Sequence, residues 1–224
     1  MRILLIGDVV GKPGRRVIIH HLAEIRRQQQ LDLVIANGEN AAEGSGITPA
    51  IYYDLIAAGV DCVTLGDHIY RRKEIYPVLT GEARILRPAN FPDAAPGRGW
   101  TVAQAADGTA VGVFSLLGRV FLRPVDCPFQ AADRVLNAMP AEVRVRVLDF
   151  HAEATSDKQL MGRYLDGRVS AVLGTTELKL QRLDAASLGT VLADRFAAVL
   201  RPRWEQHCFA LLQCRNALDA CRRG

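Results

Sequence analysis

The sequence predicts an α/β fold, with helices covering a central β-sheet. Three observations carry that expectation. Short apolar runs rich in Val, Ile and Leu alternate with amphipathic helical stretches. Several of these runs break at a glycine followed by an acidic residue. The chain has 224 residues, 49% of them hydrophobic, enough for a sizeable core without covalent staples.

Ile3 to Ile6 is the first apolar run, ending at Gly7-Asp8. Pro13-Gly14 precedes a helix with Val17, Ile18, His21, Leu22 and Ile25 on one face. Leu33 to Ala36 is the second strand, ending in Asn37-Gly38-Glu39-Asn40. Thr48-Pro49 is an N-cap followed by proline at the first helical position, opening a helix to about Ala58. Cys62 to Leu65 is the third strand and breaks at Gly66-Asp67-His68. Pro88 to Pro96 is proline-rich but short, and reads as an ordered loop. Trp100 to Ala105 and Ala110 to Phe114 flank Asp107-Gly108 as a hairpin. Val143 to Leu148 breaks at Asp149-Phe150-His151, and Val169 to Leu173 ends at Gly174. Ala185 to Leu200 and Trp204 to Ala220 read as apolar helices. No linker composition and no internal repeat interrupts the chain, so residues 1–224 read as one domain.

The net charge of +4, with both signs mixed along the chain, gives a solvated surface. It lacks the dense basic stripe with aromatics of a dedicated nucleic-acid binder, so no stable nucleic-acid complex is expected. No apolar run approaches the ~20 residues of a membrane span. "MRILLIGD" suits a first strand and is too short for a signal peptide. Five scattered cysteines read as reduced thiols in a cytoplasmic protein. Cys208, Cys214 and Cys221, with His207 beside them, lack zinc-finger spacing. No role is read into His20, His21 or His207.

In open α/β sheets ligands sit beyond the carboxyl ends of the strands. If the strands are neighbours, Asp8, Glu39, Asn40, Asp67, His68 and His151 converge on one patch. Three carboxylates in one place repel one another unless a cation neutralises them. Mixed carboxylate, carboxamide and imidazole donors suit Mn, Fe or Zn. A carboxylate such as Glu39 can bridge two ions ~3.5–4 Å apart, a pair that activates water and clamps a phosphoryl group.

The stretches "RILLIGDVVGKPGR", "ANGENAAEGSGIT", "TLGDHIYRRKEI", "RPANFP" and "DFHAEATSDKQLMGRYLDGRVSAVLGT" closely resemble the YmdB-like bacterial metallophosphoesterases. They occur in the right order over most of residues 1–175. The resemblance implies a four-layered α/β metallophosphoesterase fold, a centre of two metal ions, Fe or Mn, and 2′,3′-cyclic-nucleotide phosphodiesterase activity. It makes Asp8 a ligand of the first ion, with Asn40 beside it, and Glu39 the bridge. Residue 67 and His151 become ligands of the second ion, and His68 the general acid. The family pattern has asparagine at position 67. Asp67 adds a charge that tightens cation binding and softens Lewis acidity.

The larger departure follows Gly174. The family pattern "GTHTHV" is replaced by "GTTELKL", which puts Thr176 and Leu178 where two histidine ligands are expected, with Glu177 between them. Residues 176–224 are unlike the family, and their apolar content points to an exposed patch and a homo-oligomer. The leading expectation is a phosphodiesterase acting on a small cyclic nucleotide, 2′,3′-cAMP-like, or an RNA end. The alternative is a catalytically impaired relative that binds metal or nucleotide as a regulatory protein. A metal-free Rossmann-like binder fits poorly, because Gly7, Gly11 and Gly14 do not have G-x-G-x-x-G spacing.

Overall fold

The computed structural model describes residues 1–175. The helices expected at 185–200 and 204–220 lie outside the described residues. So do Thr176, Glu177, Leu178 and the His207 and cysteine group.

Among the described residues, two four-stranded sheets form the centre. The first has the order β1 (Ile3–Ile6), β2 (Leu33–Asn37), β3 (Cys62–Thr64), β4 (Ile85–Leu86), all parallel. The second has the order β5 (Trp100–Gln104), β6 (Ala110–Leu117), β7 (Val145–His151), β8 (Ala171–Thr175). It is parallel except for the β5–β6 hairpin. Parallel strands need crossover helices, and these cover the outer faces. Helices α1 (Gly11–Gln29) and α2 (Pro49–Ala57) pack on the first sheet, and α4 (Pro128–Ala138) and α5 (Thr155–Tyr164) on the second. A short α3 (Tyr76–Gly81) leads into β4. The layers run helix, sheet, sheet, helix, as the α/β expectation and the resemblance required.

Side chains alternate between the two faces of a strand, so each strand feeds two cores. Val34, Ala36 and Val63 meet Ile18, Leu22 and Leu55 on the helix side of the first sheet. Leu148, Phe150 and Val172 meet Ala131, Val135 and Met161 on the helix side of the second. The alternate residues, Leu33, Ile35, Cys62, Val113, Val147, Ala171 and Leu173, form the seam where the sheets face each other. By the same alternation Asn37, Thr64, Asp149, His151 and Thr175 fall on that seam at the strands' carboxyl ends.

Several expectations need correction. On α1 only Ile18 and Leu22 of the expected face are buried; Val17, His21 and Ile25 are exposed. One narrow stripe of a long surface helix is enough to cover a short sheet. The strand expected to break at Asp149 runs on to His151, with Asp149 paired in register to Ser115 and Leu173. Ladder hydrogen bonds carry the backbone through a polar residue when its side chain finds partners. Gly174 likewise lies inside β8. The Thr48 cap is present, its hydroxyl accepting the Ile51 N–H at 3.3 Å. The loop from Pro88 to Pro96 is ordered around buried Asn90, whose side chain bonds Leu117 in both directions at 2.7 and 2.8 Å.

Candidate metal centre

Each expected site residue stands at a strand's carboxyl end, and both sheets contribute. Asp8 follows β1, Glu39 and Asn40 follow β2, and Asp67 and His68 follow β3. His151 closes β7 of the second sheet. The structure brings all of them together. Asn40 Nδ2 donates to Asp8 Oδ1 at 2.9 Å and to Glu39 Oε1 at 3.3 Å. Asn40 Oδ1 lies 2.7 Å from His68 Nδ1. His68 Nε2 is 3.7 Å from Asp67 Oδ2, and Asp67 Oδ1 is 3.7 Å from His151 Nε2. His151 Nε2 is 2.9 Å from Glu39 Oε1, and Glu39 Oε2 accepts the His68 backbone N–H at 3.2 Å.

Glu39, Asp67 and His151 each offer a ligand atom within 4.8 Å of the others. Glu39 and His151 are fully buried. His151 Nε2 finds no well-angled hydrogen bond among the described residues and meets Glu39 Oε1 as an ion pair at 2.9 Å. A buried imidazole nitrogen facing two carboxylate oxygens has the surroundings of a cation ligand. Gly66 makes the approach possible. A Cβ there would collide with Glu39 Oε2 and stand 2.8 Å from His151 Cδ2.

Behind this cluster lies a second buried polar group that the sequence reading missed. Asp149 is fully buried. Its Oδ2 accepts from Thr64 Oγ1 at 2.5 Å and Asn37 Nδ2 at 3.1 Å. Its Oδ1 accepts from Thr175 Oγ1 at 2.7 Å. Thr175 Oγ1 is 3.3 Å from His151 Nδ1. Asn37 and Thr64 come from the first sheet, Asp149 and Thr175 from the second, so these bonds tie the sheets across the seam. The available signal was the period-two spacing L-x-I-x-N in β2 and V-x-D-x-H in β7, apolar first and polar last.

Charge in this region is strongly coupled. Burial opposes the charge on His151, but Glu39, with Asp149 and Asp67, outweighs it and pushes the ring up to about 9. Burial works against ionised Glu39 too, yet His151 and the His68 amide bring its pKa below the usual value. Burial holds Asp149 above the usual carboxylate range, opposed by its bonds from Thr64 and Thr175. Without a cation, His151 is the positive charge that offsets Glu39. A cation ligated at Nε2 must displace that proton.

The sequence profile of the YmdB-like proteins matches residues 4–191. The chain belongs to the YmdB-like family. It is 45% identical over 175 residues to the 2′,3′-cyclic-nucleotide 2′-phosphodiesterase of Bacillus subtilis (strain 168), covering 78% of this chain and 66% of that protein. The chain thus spans just under two thirds of that relative's length. A crystal structure of a hypothetical protein from Thermus thermophilus superposes with a TM-score of 0.73 at 44% identity, covering 82% of this chain and 72% of the other. A crystal structure of a novel phosphatase from Mycoplasma pneumoniae superposes with a TM-score of 0.71 at 30% identity, covering 78% and 63% respectively. The YmdB-like assignment and the two-sheet architecture agree. Among the described residues no helix is long and apolar enough to cross a membrane.

Proposed function

We propose that this chain is a metal-dependent phosphodiesterase of the cytoplasm that hydrolyses small 2′,3′-cyclic nucleotides or related RNA ends. The observation that carries the reading is the cluster of buried Glu39 and His151 with partly buried Asp67, in which the imidazole nitrogen faces two carboxylate oxygens. The activity named for the Bacillus relative supports the substrate class.

Glu39 sits between two groups of donors. Asp8 and Asn40 lie on one side and would serve a first ion; Asp67 and His151 lie on the other and would serve a second. Fe or Mn suits this mixture of oxygen and nitrogen donors. When bound, such a pair supplies Lewis-acid stabilisation of the phosphoryl oxygens and lowers the pKa of the attacking water. His68 is the general acid in this reading. Asn40 spends its Nδ2 protons on Asp8 and Glu39, so its Oδ1 accepts from His68 Nδ1–H. In the doubly protonated ring, Nε2 is then the nitrogen that would deliver a proton to the departing ribose oxygen, leaving the neutral Nδ1–H tautomer.

Elemental mass spectrometry on folded, untagged protein, followed by hydrolysis of 2′,3′-cAMP with and without chelator, tests the proposal. About two Fe or Mn per chain with chelator-sensitive hydrolysis is the expected result. Hydrolysis unaffected by chelation overturns it. A second reading, a metal- or nucleotide-binding regulator without catalysis, is favoured by Thr176 and Leu178 standing where the family pattern has histidines. Thr176→His with Leu178→His separates the two. A large gain of turnover identifies a crippled enzyme; no gain in a folded protein identifies a remodelled binder.

A further inference from the structure

The polar group behind the cluster has a direction to its hydrogen bonds, and that direction ends on His151. Three donors converge on Asp149, and they favour the carboxylate form against its burial; in that form it only accepts. The single hydroxyl proton of Thr175 is therefore committed to Asp149 Oδ1 at 2.7 Å. Thr175 Oγ1 then has only lone pairs to offer. It can meet His151 Nδ1 at 3.3 Å solely as an acceptor, so Nδ1 carries a proton. Asn37 Nδ2, 3.4 Å from the same oxygen, is another donor and enforces the same polarity. With Nδ1 occupied on this side, Nε2 is the nitrogen turned to Glu39 Oε1 and Asp67 Oδ1.

We propose that Asp149 is a positioning residue, which acts through the Thr175 hydroxyl to hold His151 with Nε2 presented to a cation shared with Glu39 and Asp67. The inference rests on the metal-centre reading above. Asp149 touches neither cation nor substrate. Its work is to make Thr175 an acceptor, and so to fix the orientation of a ligand that Asp149 does not contact through its own hydrogen bonds. The arrangement also explains why a carboxylate is buried where a neutral residue would be less costly to bury.

The asymmetry at Asp149 makes a sharp test. Oδ2 receives two donors, from Thr64 and Asn37, whereas Oδ1 receives one. In Asp149→Asn the amide oxygen belongs on the two-donor side. The new NH2 then faces Thr175, whose hydroxyl must accept it and release its own proton towards His151 Nδ1. The polarity of the chain is inverted with almost no change of shape. Thr175→Val removes the acceptor while keeping the volume, and Thr175→Ser restores it.

The experiment is a Mn²⁺ titration of the full chain, by calorimetry and by the paramagnetic signal of free Mn²⁺, beside thermal unfolding of each metal-free protein. The expected result is a loss of about 10–100-fold in Mn²⁺ affinity for Thr175→Val and for Asp149→Asn. Thr175→Ser should stay close to the parent, and the affinity losses should not follow the shifts in unfolding temperature. A purely structural role predicts that affinity tracks stability across the series, which overturns the proposal. So does a folded Thr175→Val that binds Mn²⁺ like the parent. A parent chain that takes up no Mn²⁺ overturns the metal centre and this inference together. A parent that binds Mn²⁺ but leaves 2′,3′-cAMP intact removes the proposed activity and leaves this inference standing.

Discussion

The two ends of the seam between the sheets use the same strands in the same register, yet they obey opposite rules. At the amino ends Leu33, Ile35, Val113, Val147 and Ala171 pack as an apolar layer that excludes polar atoms. At the carboxyl ends of the same strands Asn37, Thr64, Asp149, His151 and Thr175 are equally buried but polar, and they are held by hydrogen bonds and by the His151–Glu39 ion pair. The apolar end depends on volume, and the polar end on the direction of each donor. The candidate site lies at the second end, where His151 Nε2 faces Glu39 and Asp67.

Substitutions should separate the two ends. The largest effect is expected on turnover. His68→Ala in the cation-loaded enzyme should lower kcat by about 10²–10⁴-fold with cation content unchanged, measured by steady-state kinetics beside elemental analysis. Next is Gly66→Ala, whose Cβ displaces Glu39 and His151 from each other. It should weaken Mn²⁺ binding on the order of 10–100-fold, with far less effect on unfolding, by calorimetry and denaturant titration.

A change of pH comes third. His151 titrates in the metal-free protein at about 9, above its ordinary 6.5. Its charge therefore contributes stability that is fully present below pH 6.5 and lost as pH rises through about 9. Cation affinity must run the other way, rising by up to about tenfold per unit over that window because the ligand loses its proton. Denaturant titrations and Mn²⁺ binding measured across the window should give slopes of opposite sign. The smallest effect belongs to the apolar end. Ile35→Val should cost about 0.5–1.5 kcal/mol of stability and leave Mn²⁺ affinity unchanged.

The fold class and the residues that converge at the strand ends were legible because they break a pattern. A glycine and an acid after an apolar run is an abrupt change, and Asp8, Glu39, Asp67 and His68 all sit at such breaks. Asn37, Thr64, Asp149 and Thr175 were not legible in the same way. They lie inside strands, and their alternation with apolar neighbours has meaning only once a second sheet is known to cover that face. Pairing of two sheets is not local information. Helices α4 and α5 were missed for a related reason. Buried Ala131 and Ala132 give α4 a weak apolar signal, and α5 buries Lys158 and Gly162 beside Met161. The face of α1 was drawn too wide because Val17 and Ile25 have helical spacing but meet no sheet.

The tie between Asn37 and Asp149 spans 112 residues of chain. During synthesis at about 5–20 residues per second, roughly 6–20 s separate the emergence of the two. For that interval the first sheet has Leu33 and Ile35 without their facing layer, and Glu39 without the imidazole that completes its cluster. If Glu39, Asp67 and His151 hold a cation as proposed, its capture is a late event in the life of the nascent chain. It can serve as a clock for the docking of the two sheets.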